Sequence, residues 1–304
     1  MGTPDFSVPV LENLIENKHE VVAVVTQPDK ERGRGKSVQF TPVKLCAIMH
    51  NIEVYQPKKI KDEEAVNKLK SYDADLFVVV AFGQILSQEI LDIPRHCCVN
   101  IHASLLPKYR GAAPIQWAVI DGEQYSGVTI MRMDAGLDTG DIMLMESIEL
   151  DRDETAESLH IRLSDLGARL IIKAINKIED GSITYRVQNN DESCYAKMLS
   201  KSIGHINFAK AAIVIERLVR GLNSWPSAYA NIKDKKIKIW KAYVIDDNST
   251  GEVSVIAEIT KEAIIVQAGS GKLAITEVQL EGKKRMLVAD FLRGYQLKVG
   301  DKFE

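Results

Sequence analysis

The sequence predicts an α/β domain with a parallel-rich sheet, followed by a small β-barrel domain. Three observations predict it. Residues 20–26 (EVVAVVT) and 75–82 (DLFVVVAF) are continuous apolar runs, as expected of strands buried on both faces. Strand-like and helix-like stretches alternate through about residue 182. Beyond Trp225-Pro226 the chain reads almost wholly as short strands between turn residues.

The elements follow in order. The opening Met-Gly-Thr-Pro-Asp-Phe reads as a strand-to-helix turn, and helix 8–17 follows it directly. A first, central strand is therefore expected to be missing and the gene product to be longer, since an absent central strand exposes unpaired backbone. The run 20–26 is the next strand, and residues 42–51 and 62–71 carry helical patterns. After the strand 75–82 comes a short strand, 98–102, then a loop and a helix over 112–120. Strands 127–133 and 141–149 precede a long helix, 155–179, opened by Thr155 and closed by Gly181. Residues 188–193 (QNNDES) are polar and read as part of a linker. The expected boundaries are a first domain over 1–187, a linker over 188–204 and a barrel domain over 205–304. That barrel domain opens with a helix, 209–221, followed by strands 230–232, 236–244, 251–259, 263–268 and 272–280.

Composition narrows the function classes. At 304 residues two domains are expected, and 45% hydrophobic with 27% charged residues is ordinary for a globular chain. The four cysteines form no CxxC pattern, and Cys97 and Cys98 are adjacent, which favours a reduced, cytoplasmic compartment over a secreted one. No apolar run reaches the roughly 18 residues of a spanning helix. A net charge of −3 argues for no nucleic-acid partner by itself, so any such partner needs local basic patches.

Asn100 and His102 lie two apart on a strand and share a face. An amide donor beside an imidazole suits stabilisation of an oxyanion. The glycine- and aspartate-rich stretch 133–141 can carry a carboxylate, Asp138, to that histidine and favour its protonated form. Singly, each has a plainer reading: a turn-forming Asn, a structural His, an Asp in turn chemistry. His, Cys and acidic residues show no ligand spacing, so no metal is expected.

Together, Asn100-Ile101-His102, Ser104-Leu105-Leu106-Pro107 and Leu137-Asp138-Thr139-Gly140 resemble the signature of the folate-dependent formyltransferases. Other stretches resemble the branch of that family acting on aminoacylated tRNA. These are Gly2-Thr3-Pro4-Asp5-Phe6, Thr26-Gln27-Pro28-Asp29 with Gly33-Arg34-Gly35-Lys36, Arg110-Gly111-Ala112-Ala113-Pro114-Ile115-Gln116, and 127–133 leading into Asp134. Asn223-Ser224-Trp225-Pro226 is similar to the start of its C-terminal barrel, with Ser224 where proline is common. The stretch 201–208 lacks an acidic residue often found there.

The resemblance implies a Rossmann-like formyltransferase domain and an OB-like barrel. It implies 10-formyltetrahydrofolate as formyl donor and methionyl initiator tRNA as acceptor, in a chain expected to be monomeric and without a membrane partner. Asn100 and protonated His102 would donate to the oxyanion, with Asp138 keeping His102 cationic and relaying the amine proton. The folate slot would use Phe82, Gly83, Gln84, Ile85, Leu86, Ser104, Leu105, Leu106, Pro107 and Asp134. In the basic loop 30–36, Arg34 with Arg32 and Lys36 would meet the acceptor stem. Barrel lysines such as Lys236 and Lys284 would meet phosphate, the bland alternative being plain solubility. Three other readings stay open: a formyltransferase for another amine such as a nucleotide sugar, a formyltetrahydrofolate hydrolase, and a non-catalytic RNA-binding protein.

Overall fold

The structure, a computed structural model, describes residues 1–32, 37–246 and 248–304. It divides into two units. The first comprises 1–114, 125–149 and 160–196, the second 115–124, 150–159 and 197–304.

In the first unit a four-stranded sheet runs in the order Leu76–Val79, Cys97–His102, Tyr125–Arg132, Ile142–Glu149. The pairing of the first two is parallel and the other two are antiparallel. The long strand Tyr125–Arg132 is buried over its six inner residues, which explains its apolar sequence. Helix Ala156–Glu179 opens as expected, Thr155 Oγ1 accepting from the Ser158 N–H at 3.1 Å.

The run 20–26 departs from expectation. Only Val24–Val25 forms a strand, paired in parallel with Val54–Tyr55 in a separate two-stranded sheet. A cavity of about 650 Å³ lies between this pair and Leu76–Val79, lined among others by Val21, Val22, Ala23, Phe77 and Val78. Residues 20–23 therefore lack a ladder partner on that side. Met1 and Gly2 reach into the gap. The Met1 ammonium donates to Val78 O at 2.6 Å, Val80 N–H donates to Met1 O, and Gly2 N–H donates to Val25 O. Burial pushes the pKa of that ammonium from 8.0 down to about 5.

Cys98 sits in the core with Phe77, Val79, Ile90 and Leu91, 1% exposed. Burial, reinforced by the neighbouring Cys97, pushes its thiol up from 9.0 to about 12. A pKa raised by folding leaves stability intact below pH 9 and removes it as pH climbs toward 12, at up to about 1.4 kcal/mol per pH step. Denaturant unfolding between pH 8 and 11 is therefore expected to lose stability less steeply in Cys98→Ala than in the wild type. Parallel pH profiles would contradict this.

The second unit is an antiparallel sheet in the order Ala228–Ile232, Lys235–Asp246, Lys272–Leu280, Ile264–Gln267, Ile256–Ile259, with Met286–Leu287 also on Lys272–Leu280. The last residues join its two edges. Asn231 and Glu304 exchange backbone hydrogen bonds at 2.8 and 2.9 Å, while Ile256 N–H donates to Asp301 O and Phe303 N–H to Ser254 O. This closure makes the sheet a barrel and protects edges that would otherwise stay unpaired. Ile237, Ile239, Ile275 and Val278 fill it with Ile215 and Val219 of helix Ala212–Gly221. Each such buried side chain contributes about 1.5–3 kcal/mol. Gly221 lies against Ile120 and Gln116, and Arg220 donates to Glu154 O at 2.6 Å, so residues 115–124 and 150–159 pack with this helix. The structure adds what periodicity missed: short helices Gln88–Leu91 and Val288–Gly294, and a hairpin of Lys30–Arg32 with Ser37–Gln39. Among the described residues no helix is long and apolar enough to cross a membrane.

Candidate active site

Asn100 and His102 stand at the C-terminal end of strand Cys97–His102, in the first unit. Asn100 is in register with Val79 on one side and Met131 on the other, and His102 with Thr129. The strand alternation thus puts both side chains on one face. His102 is 6% exposed.

The chain beyond that strand is tied to its neighbour. Thr129 Oγ1 donates to Ser104 O at 2.7 Å and accepts from the Leu106 N–H at 3.1 Å, while Ser104 Oγ donates to Lys108 O at 2.6 Å. Tyr109 then adopts φ 60°, and its carbonyl lies 2.9 Å from His102 Nε2. A carbonyl can only accept, so Nε2 carries a proton in this contact.

Asp138 arrives from the loop after strand Tyr125–Arg132. Asp134 closes that loop as an Asx turn, accepting from Gly136 N–H at 3.0 Å and Thr139 Oγ1 at 2.8 Å. Gly140 lets it return, because a Cβ there would fall 1.8 Å from Arg132 O. Asp138, at φ 53°, points its carboxylate at three groups. Oδ2 accepts from Gly111 N–H at 2.8 Å and lies 3.7 Å from His102 Nδ1, while Oδ1 is 3.4 Å from Asn100 Nδ2. The structure therefore brings Asn100, His102 and Asp138 together. Nε2 of His102 is engaged by Tyr109 O, while Nδ1 faces Asp138.

The expected folate positions fall in different settings. Phe82 and Leu86 pack into the core with Val79 and Ile90, and Leu106 with Met131 and Ile142. Ile85 is 70% exposed, and Gly83, at φ 81°, is exposed beside it. Gln84 is bound on the other side, to Ile60 N–H and Pro57 O. Leu105 and Pro107 are half-buried, Ser104 is buried, and Asp134 is exposed.

Of the basic loop, Arg32 ends the first strand of the hairpin, and Arg34 and Lys36 lie outside the described residues. The base of the hairpin is braced by Lys44, which pairs with Asp29 and donates to Gln56 Oε1 at 2.7 Å. Burial opposes the ionisation of Asp29, yet hydrogen bonds from Lys44 and Gln56 and the Lys44 charge hold its carboxyl below the usual range. On the barrel, Lys236 sits 4.1 Å over the Tyr229 ring and Lys284 is exposed. Lys233 is paired with Asp301 at 2.8 Å and Arg285 with Glu277 at 2.7 Å, so part of the basic charge is balanced internally. Among the described residues no group of three His, Cys, Asp or Glu side chains could hold a metal ion.

Sequence reasoning missed Tyr109, Thr129 and Gln188. Tyr109 contributes its backbone carbonyl and Thr129 a hydroxyl bound to the Ser104–Leu106 backbone, contacts that no motif displays, and Gln188 was hidden in a stretch read as linker.

A strand-end amide, an imidazole and a carboxylate thus meet beside a glycine-dependent return loop, on an α/β scaffold. Residues 1–175 match the formyl transferase family and 198–296 match the formyl transferase C-terminal domain, so the chain belongs to the formyl transferases. Among its relatives, the methionyl-tRNA formyltransferase of Agathobacter rectalis is 54% identical over 303 residues, covering 100% of this chain and 98% of the relative. Those of Clostridioides difficile and Geobacter metallireducens are 48% and 49% identical, each covering 99% of this chain and 97% and 96% of the relative.

In fold, the chain is similar to a sugar 3N-formyl transferase solved in the presence of dTDP and 5-N-formyl-THF. The TM-score is 0.68 at 24% identity, over 93% of this chain and 97% of that one. It is also similar to the N-formyltransferase of Helicobacter canadensis in complex with folinic acid and dTDP-3-aminofucose, with a TM-score of 0.67 at 23% identity over 90% and 96%.

Proposed function

We propose that this formyl transferase moves the formyl group of 10-formyltetrahydrofolate onto the α-amino group of methionine esterified to initiator tRNA, in the cytoplasm. The observation that carries this reading is the 54% identity, along the whole chain, to a relative so named. The meeting of Asn100, His102 and Asp138 supports the chemistry.

The neutral amine attacks the formyl carbon, the carbonyl oxygen becomes anionic, and the bond from carbon to N10 then breaks to release tetrahydrofolate. Asn100 supplies a donor to that oxygen. Its 3.4 Å contact with Asp138 is at the long limit of a hydrogen bond and is exchanged for an anionic acceptor at little cost. Catalytic hydrogen bonds are often long before substrate binds and tighten in the complex. The 3.7 Å between His102 Nδ1 and Asp138 Oδ2 is such a gap; this pair takes the proton leaving the amine and returns it to N10, which departs as neutral tetrahydrofolate. Backbone groups around Gly83 and the 104–107 turn hold the pterin of the donor.

The test is incubation with 10-formyltetrahydrofolate and either charged initiator or charged elongator tRNA. Formyl transfer to the initiator alone is expected. Transfer to a nucleotide amino sugar, with none to tRNA, would overturn the reading.

In this reading Arg34 is the loop residue that meets the acceptor stem. Arg34→Ala is expected to raise KM for the tRNA about tenfold or more while folate binding stays unchanged, as loss of one nucleic-acid contact does. Equal loss of both would remove the loop from tRNA recognition.

A further inference from the structure

We infer that Gln188 is a positioning residue of the reaction centre, fixing the backbone that carries Asp138 and the arginine next to Gly111. This rests on the reading of Asn100, His102 and Asp138 as that centre.

Gln188 is 6% exposed, in a stretch otherwise mostly exposed. A buried amide is costly unless its groups are paired. Here both of its donors and its acceptor are used. Nε2 donates to Asp138 O at 2.9 Å and to Gly140 O at 2.7 Å. Oε1 accepts from Arg110 Nε at 3.0 Å and Nη2 at 2.8 Å. One side chain thus spans the two segments that meet at the Asp138 carboxylate: the loop ending at Gly140, and the turn whose Gly111 N–H binds Asp138 Oδ2 at 2.8 Å.

The location makes the amide an anchor. Arg186 exchanges backbone hydrogen bonds with Ile142, each 2.9 Å, which fixes the chain two residues before Gln188. On the far side, Tyr195–Ala196 pairs in parallel with Arg110–Gly111, and Arg110 Nη2 donates to Asn190 Oδ1 at 2.9 Å. The segment 186–196 is therefore clamped to the sheet at one end and to the site turn at the other, with Gln188 filling the corner between.

Both site segments also hold unusual backbone. Asp138 is at φ 53° and Tyr109 at φ 60°, left-handed conformations that persist only when surroundings hold them. For Asp138, the Gln188 amide holds the carbonyl of the same residue whose carboxylate faces His102. Releasing it lets the carboxylate drift, and a misplacement of about 1 Å can cost about 10²-fold in rate.

Gln188→Glu separates the two halves of the bridge. It keeps an acceptor for Arg110 but turns an oxygen, in place of the donating NH₂, onto the carbonyls of Asp138 and Gly140. Gln188→Met removes all four contacts at similar volume. The expected result for either variant is a kcat lower by about ten- to a hundredfold, with KM for 10-formyltetrahydrofolate within about twofold of wild type and displaced His102 ring 15N signals. In the wild-type protein the Gln188 side-chain amide protons are expected to exchange slowly with solvent, a measurement that needs no variant to fold.

Freely exchanging amide protons would overturn the inference. So would a folded variant with wild-type kcat and unmoved ring signals, or a loss of kcat that merely tracks the unfolded fraction. If the wild type formylates no tRNA but the ring signals move in Gln188→Glu, the substrate reading fails and the positioning role stands.

Discussion

Replacing His102 with alanine is expected to lower turnover by at least about two orders of magnitude, read as formyl transfer per folded enzyme. The ring is almost fully buried, with Nε2 on Tyr109 O at 2.9 Å and Nδ1 3.7 Å from Asp138 Oδ2. Alanine removes the group that faces the carboxylate and leaves the Tyr109 carbonyl without its partner. The structural cost of losing one buried hydrogen bond is about 1–3 kcal/mol, so a melting curve separates it from the catalytic loss. A folded His102→Ala protein with near-normal turnover would take this residue out of the mechanism.

Asp138→Asn is expected to have the other large effect. The substitution preserves shape, and its oxygen can still accept from Gly111 N–H, the 2.8 Å contact that ties the loop to the turn. Folding stability should therefore stay within about 1 kcal/mol of wild type. The amide cannot take a proton or attract the imidazole, and its NH₂ meets the Asn100 amide, which now donates to Oδ1 across 3.4 Å. Turnover should fall on the order of 10⁴-fold, the scale found where a catalytic histidine loses its carboxylate partner. Asp138→Ala adds loss of the Gly111 contact, so it should lose stability as well as turnover. Should Asp138→Asn keep full turnover, the carboxylate is only a loop anchor, and the three-residue chemistry fails.

Much of the fold was legible because its signals are local. A continuous apolar run marked 75–82, and 127–133 was also expected as a strand; the structure has strands at Leu76–Val79 and Tyr125–Arg132. Thr155 announced the start of the long helix through capping chemistry that spans only three residues. The run 20–26 shows the limit: it has a strand's composition, but a strand needs a partner, and only Val24–Val25 has one. The pairing of Lys30–Arg32 with Ser37–Gln39 was missed because these short polar stretches carry no period-2 signal.

By itself the sequence determined the two-part architecture, the family likeness and the placement of Asn100 and His102 on one strand face, since alternation along a strand is a property of the local chain. Only the tertiary structure decided what those residues touch. The approach of Asp138 across 38 residues depends on Gly140 returning against Arg132, on the Tyr109 carbonyl occupying one ring nitrogen, and on Gln188 leaving an apparent linker to be buried. The same holds for the barrel, closed by Glu304 on Asn231. Contacts between residues distant in sequence are fixed by where hydrogen-bonding groups and close-packed surfaces can be satisfied together, and no window of neighbouring residues contains that information.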